Sequence, residues 1–344
     1  MKRTTAAILA LLVGSLVPLS IAAQKQIVIG LSLGTLQQER WTNEKGMMEK
    51  YIATMSNVKM LVQAANSDAT VQDAQAENLL AQNVNVLIVV PQDAEAAGAI
   101  VKKAHEVGVP VIAYDRMITK SDVDAYVSFD SVKVGELMAQ YLVERVPRGN
   151  YMIIKGGPSD NNAHLVYQGQ MNVLKKFVDS GAIKIVADQW CENWSPEIAL
   201  KHTENALTAT GNKIDAITTG WDGLAGAAIQ ALAAQGLAGK VLVTGQDADL
   251  SACQAIVEGK QAVTIYKPLS LLAKAGIDTA LILAQRKPLK VEKYVNNGFK
   301  DVPAVLPEIY TVDKDNMVEV IIKSGFRKLE DVYKNVPKAK WPKV

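Results

Sequence analysis

The sequence predicts an α/β protein with two doubly wound parallel sheets, and three observations support this. Short β-branched runs alternate with amphipathic stretches from Gln26 onward, the apolar runs are near-continuous, and the whole pattern restarts after residue 130. Near-continuous apolar strands are buried on both faces, which requires helices on both sides of a parallel sheet.

In the first series QIVIGLSL (26–33) leads to a helix over 38–55, VKMLVQAA (58–65) to one over 69–82, and VLIVVP (86–91) to one over 94–107. PVIAYD (110–115) and AYVSFD (125–130) follow. The second series opens with a helix over 131–145. YMIIKGG (151–157), IKIVADQW (183–190), DAITTG (215–220) and KVLVTGQD (240–247) then lead to helices over 163–180, 196–209, 223–236 and 250–259. Asp68 and Ser195 stand where N-caps belong, Pro196 takes a first helical position, and Gly108, Gly181 and Gly211 close helices. The remaining elements are AVTIYK (262–267), a helix over 269–286, VPAVLPEIYTV (302–312) and a helix over 316–324. They are too few for a third domain and must complete the two sheets already begun.

With 344 residues, 49% of them hydrophobic, the chain can fill two cores, and a net charge of +2 without a long basic run gives no footprint for nucleic acid or an anionic membrane. Lys2 and Arg3 precede an apolar run from Ala6 to Ile21 and then Ala22 and Ala23, which reads as a cleaved signal peptide over 1–23 and a periplasmic destination. Cleavage after Ala22 places Ser20 and Ala22 at the small-residue positions, and cleavage after Ala23 is a near competitor that puts Ile21 in a less suitable place. The run is short for a membrane span, and no cysteine follows it to carry a lipid. Cys191 and Cys253 are the only cysteines; a disulfide and two buried thiols both remain open.

Doubly wound sheets bind ligands beyond the carboxyl ends of their strands. The polar and aromatic residues there are Arg40 and Trp41, Asp115 and Arg116, Asp160 to Asn162, Trp190 and Trp194, Trp221 and Asp222, Asp247, and Lys267. Arg40, Asp115, Arg116, Asp160, Asn162, Asp247 and Lys267 nearly balance in charge. A closed cleft of that kind suits a neutral ligand. Forked planar groups match neighbouring hydroxyls, and an indole matches the C–H face of a pyranose. Singly, each residue has a plainer reading as a turn former, an N-cap or packing.

The segments AYDRM (113–117), GGPSDNNA (156–163), GQDADL (245–250) and YKP (266–268) resemble those of periplasmic sugar-binding proteins of ABC importers, with the xylose-binding branch nearest. QERW (38–41), NALTA (205–209) and AIQALAAQGLAGKV (228–241) extend the likeness over nearly the whole chain after the signal. It implies two Rossmann-like lobes joined by three crossing strands near 127–132, 262–268 and 302–312. One lobe would comprise 24–130 plus 268–305, and the other 131–267 plus 306–344. By the same resemblance Arg40, Asp115 and Arg116 would hold a monosaccharide from the first lobe, Asp160, Asn162, Asp247 and Lys267 from the second lobe or hinge, and Trp194 would be the stacking platform.

One position departs. The xylose-binding pattern has an asparagine before an aspartate where this chain reads Gly220-Trp221-Asp222-Gly223, as in multiple-sugar-binding relatives. Either Trp221 faces the cleft and shapes it, or it packs away and Asp222 takes the hydroxyl contact. The implied protein is a monomer delivering sugar to the membrane permease of an importer. A sensing partnership with a chemoreceptor or sensor kinase would use the same site.

An enzyme is the main rival class. The first strand runs into Gly30-Leu31-Ser32-Leu33-Gly34, without the spacing of a dinucleotide loop, and GxxxxGK[ST], GxSxG and HExxH do not occur. His105, His164 and His202 have no metal-ligand spacing, so no catalytic residue, metal or cofactor is expected. A repressor effector domain shares the architecture, but the N-terminus carries a secretory signal in place of a helix-turn-helix.

Overall fold

The computed structural model describes residues 26–343, so the expected signal peptide lies outside the described residues. The first sheet contains β1 (Ile27–Leu33), β2 (Val58–Ala64), β3 (Val86–Val90), β4 (Val111–Tyr114), β5 (Ala125–Val127), β11 (Lys293–Asn296) and β12 (Asp301–Val305). Its order is β11-β12-β5-β4-β3-β1-β2, parallel except for the antiparallel edge pair β11–β12. The second contains β6 (Gly149–Lys155), β7 (Ile183–Trp190), β8 (Ala216–Thr219), β9 (Leu242–Gln246), β10 (Val263–Tyr266) and β13 (Tyr310–Val312). Its order is β13-β10-β9-β8-β6-β7, parallel except for β13.

The helices are α1 (Glu39–Ile52), α2 (Ala69–Ala81), α3 (Gly98–Glu106), α4 (Ser131–Arg145), α5 (Asn161–Asp179), α6 (Pro196–Thr210), α7 (Asp222–Ala234), α8 (Leu250–Val257), α9 (Leu269–Ala284) and α10 (Leu329–Val332). Each sheet is covered on both faces. In the first, Ile29, Leu31, Ile88 and Ile112 face a core shared with α1 and α9, while Leu87, Val89 and Val111 face one shared with α2 and α3. In the second, Met152, Ile217 and Val243 pack under α6 and α7, and Tyr151, Ile153 and Ala216 pack under α4 and α5. A Cβ on Gly135 would stand 2.0 Å from the Val166 carbonyl, and one on Gly169 would stand 2.0 Å from that of Val132. Both glycines therefore let α4 and α5 meet backbone to backbone.

The chain passes between the sheets three times, at 128–130, 267–268 and 306–309, within the expected segments. Asp68 caps α2 through Thr70 and Val71 N–H, Ser195 caps α6 through Ile198 N–H, and Gly108, Gly181 and Gly211 adopt positive φ.

Three elements differ from expectation. The helix expected over 94–107 begins only at Gly98, because Asp93 Oδ1 accepts from the Glu95 and Ala96 amides and holds the intervening residues as a turn. The stretch 316–324 forms a five-residue π-helix, Val318–Ile322. Strand β11 was not anticipated: Lys293, Tyr294 and Asn296 are exposed on an edge, which erases the apolar signal of a buried strand. Cys191 and Cys253 are buried free thiols.

Candidate functional site

The carboxyl ends of both sheets face each other across a cavity with about 330 Å³ of empty space. It is lined from the first lobe by Gln38, Arg40, Trp41, Asp115 and Arg116. The second contributes Ser131, Asp160, Asn162, Trp194, Trp221, Gln246 and Asp247, and the crossing after β10 contributes Lys267. Nine of the ten expected residues thus lie together.

Arg40, in the first turn of α1, is nearly fully buried and carries three carboxylate partners. Its NH2 reaches Glu44 at 2.5 Å and Asp115 at 2.7 Å, and its NH1 approaches Asp247 of the other lobe at 3.5 Å. Lys267 Nζ reaches Asp247 at 2.7 Å. Arg116 Nε crosses the cleft to Asp160 Oδ2 at 2.8 Å. Asn162 also bridges the lobes, donating from Nδ2 to the Asp115 carbonyl at 2.9 Å and accepting from Tyr126 at 3.3 Å. The positive φ of Asp115 and Asp247 turns both carboxylates inward beyond the strand ends.

Asp160 performs two tasks. Its Oδ1 caps α5 by accepting from Asn162 N–H, while Oδ2 accepts from Arg116 and from Trp194 Nε1 at 3.2 Å. Trp194 itself sits in a tight turn with φ +58. A Cβ on Gly156 would meet its ring at 2.3 Å, so that glycine makes room for the indole.

Burial governs the ionisation of these groups, and charge partners decide its outcome. Burial pushes Glu44 and Asp160 upward, opposed by Arg40 and Arg116 respectively. For Asp115 burial acts in the same direction, yet Arg40, Lys267 and Arg116 together hold it below the usual carboxylate range. Arg40 is driven further up: burial opposes its charge, but Asp115, Glu44 and Asp247 outweigh burial.

Asp222 is the exception. Its Oδ1 accepts from Gln261 Nε2 at 2.8 Å, and its Oδ2 accepts from Thr264 Oγ1 at 2.8 Å and from the Asp249 amide at 3.1 Å. All three bonds tie it beneath β9 and β10, and the cavity does not reach it. Trp221 instead lines the cavity, its indole N–H without a hydrogen-bond partner among the described residues. Of the histidines, His105 pairs with Asp124, His164 with the Pro158 carbonyl and His202 with the Trp190 carbonyl; none lines the cavity.

Four lining residues were not anticipated as ligand contacts. Trp41 lies under the Arg40 guanidinium at 4.3 Å and near that of Arg116 at 5.4 Å, and it donates to Gln38 Oε1. Its position beside Arg40 in QERW was the available signal. Gln246, bonded to the Gly220 carbonyl, and Ser131, opening α4, carry no local signature.

A model of the periplasmic binding protein domain matches residues 29–288. The chain belongs to the periplasmic binding protein family. Among relatives of this periplasmic binding protein, the D-xylose-binding periplasmic protein of Escherichia coli (strain K12) is 46% identical, covering 93% of this chain and 97% of its own length. That of Haemophilus influenzae is 44% identical, covering 94% and 97%. A carbohydrate transporter solute-binding protein from Chloroflexus aurantiacus, solved in complex with D-glucose, superposes with a TM-score of 0.84 at 30% identity, covering 90% of this chain and 98% of that one. The two-lobed architecture, with ligand-facing loops at the strand ends, is therefore that of the type I binding proteins.

Proposed function

We propose that this protein captures a single aldopyranose, D-xylose or a near relative, in the interlobe cavity and delivers it to the membrane permease of an ABC importer by hinge closure. The observation that carries this reading is the cavity wall. Three cations (Arg40, Arg116, Lys267) face three carboxylates (Asp115, Asp160, Asp247), so the wall balances in charge and favours an uncharged ligand. Carboxylates, Asn162 and guanidinium groups bind hydroxyl pairs while Trp194 and Trp41 meet C–H faces, in the manner that sugar recognition requires. An N-terminal signal over 1–23 would place the protein in the periplasm.

The experiment is a thermal-shift screen of the protein lacking residues 1–23 against aldopentoses and aldohexoses. A ligand at about 1,000 times its Kd stabilises the native state by about 4 kcal/mol, a shift of several degrees. No shift with any of them would overturn the reading. A second reading, broader specificity among monosaccharides, is favoured by Trp221 at the cavity wall, where an indole replaces the forked amide of the xylose-binding pattern.

A further inference from the structure

Beyond β13 the chain runs back over the second lobe and reaches the first. Val332, Tyr333 and Trp341 join Cys253, Ile256 and Val257 of α8 in one core, and between that anchor and β13 lies Arg327. Its guanidinium uses both edges. NH1 donates across the cleft to Glu39 in the first turn of α1, one residue before Arg40, while Nε and NH2 donate to the Ala248 carbonyl at 3.3 and 3.1 Å.

Ala248 is not an ordinary acceptor. It and Asp247 are consecutive non-glycine residues at positive φ, +51 and +95, a conformation that persists only when its surroundings hold it. The Asp247 amide bonds the Ile265 carbonyl, the Ala248 amide bonds Thr264 Oγ1, and the Ala248 carbonyl accepts from the Cys253 thiol at 3.5 Å and from two donors of Arg327, the charged group among its partners. The guanidinium lies over Phe326 at 4.5 Å, whose ring packs 4.8 Å from Tyr266, the residue before Lys267. Arg327 is therefore braced against the strand that carries the other partner of Asp247.

We propose that Arg327 is a positioning residue for Asp247 and, through Glu39, a latch that holds the lobes closed over the ligand; this rests on the sugar-capture reading above. The Glu39 carboxylate is substantially exposed, so the pair adds little to folding. It joins two lobes, however, and any opening that separates α1 from the second lobe breaks it. Its contribution falls on the closed state and hence on ligand departure, while association, which begins from the open form, is untouched.

The test uses the protein without residues 1–23 and its Glu39→Gln, Arg327→Gln, Arg327→Lys and Glu39→Gln/Arg327→Gln variants, with D-xylose and D-glucose as probes by stopped flow. Glu39→Gln should dissociate about two- to fivefold faster at unchanged association rate and unchanged melting temperature. Arg327→Gln should dissociate about tenfold faster or more, because the charged donors to Ala248 are also lost. Arg327→Lys should fall between, and the double variant should be no faster than Arg327→Gln. A wild-type dissociation rate in Glu39→Gln, or a double variant equal to the product of the singles, would overturn the latch. If the unmodified protein takes up neither sugar, the sugar reading fails first. Closure then remains measurable by energy transfer between fluorophores at Lys59→Cys and Lys184→Cys, exposed positions on opposite lobes, the native thiols being buried. Glu39→Gln should lengthen that distance, and an unchanged distance would overturn the latch on its own.

Discussion

Neutralising Asp247 without changing its shape tests the sugar site most directly. In Asp247→Asn the side chain keeps its volume, and asparagine tolerates the positive φ that this position adopts, so the backbone has no new strain to relieve. The carboxylate serves Lys267 at 2.7 Å and Arg40 at 3.5 Å, and its remaining lone pairs face the cavity. A hydrogen bond to a charged group contributes about 1.5–3 kcal/mol against about 0.5–1.5 for a neutral one. Two adjacent hydroxyls would then lose about 2–3 kcal/mol together, a fall in affinity of roughly 30- to 150-fold. Lys267, whose only ion-pair partner among the described residues is Asp247, would also be left a buried cation with a neutral neighbour, so melting temperature should drop in the absence of sugar. Calorimetric titration with D-xylose and D-glucose, alongside thermal unfolding, reads both effects. Wild-type affinity in a folded Asp247→Asn protein would remove this residue from the ligand shell and refute the assignment.

Three further outcomes follow from the geometry. Saturating sugar should compact the protein by small-angle scattering, since the charge pairs spanning the cleft form only when the lobes meet; an unchanged radius of gyration would count against hinge closure. Gly156→Ala would put a Cβ 2.3 Å from the Trp194 ring, so the platform must move and affinity should fall at least tenfold, with wild-type binding showing that the indole does not stack on sugar. Asp249 is pushed up to about 7 by burial and by Asp247 and Glu39, against Arg327, whereas an unfolded aspartate titrates near ~4. Between those values the folded state holds the extra proton, so this group's contribution weakens as pH rises; Asp249→Asn should gain melting temperature relative to wild type from pH ~5 to ~8, and parallel curves would refute it.

The parts of the site legible in the sequence are those that topology alone places. Once β1, β4, β6, β9 and β10 are recognised as parallel strands, Arg40, Asp115, Asp160, Asp247 and Lys267 follow, because the loops after such strands converge on one edge. What the strands do not determine is which way a side chain turns within its loop. Asp222 is one residue from Trp221 at the same strand end, yet Gln261, Thr264 and the Asp249 amide compete for its carboxylate and win, since burying an unsatisfied aspartate would cost more than leaving the cavity without it. Trp41 stands at such a strand end too, but tryptophan in a first helical turn is ordinarily packing, and its place on the cavity wall shows only in the fold, where two guanidinium groups lie over its ring. Arg327 had no local signature, because its partner Glu39 is 288 positions away and meets it only across the closed cleft.

The distribution of charge between the lobes explains why a neutral sugar can both fit the site and trigger closure. Arg40 and Asp115 pair within the first lobe, and Lys267 with Asp247 on the second, so each lobe keeps an internal ion pair when the two part. Among the described residues, Arg116–Asp160, the longer Arg40–Asp247 contact and, at the rim, Arg327–Glu39 cross the gap. Opening therefore leaves no lobe with a large unbalanced charge, and water can solvate the few partners it separates. A neutral polyol bridging the lobes reconnects them by hydrogen bonds to ionised groups without adding charge that the wall must absorb. An anion of the same size would add a charge to a wall whose cations already pair with Asp115, Asp160 and Asp247, in a closed, poorly solvated space where repulsion is strongest. Selection against charge is thus a property of the closed state, and selection among sugars is left to the shape set by Trp41, Trp194 and Trp221. Trp221→Asn would isolate that second factor. It trades an indole without a hydrogen-bond partner for a forked amide, and should shift the ratio of D-xylose to D-glucose affinities by about tenfold, or ~1.4 kcal/mol, as a regained polar contact does. Equal changes for both sugars in paired titrations would show that the indole fills space without choosing the ligand.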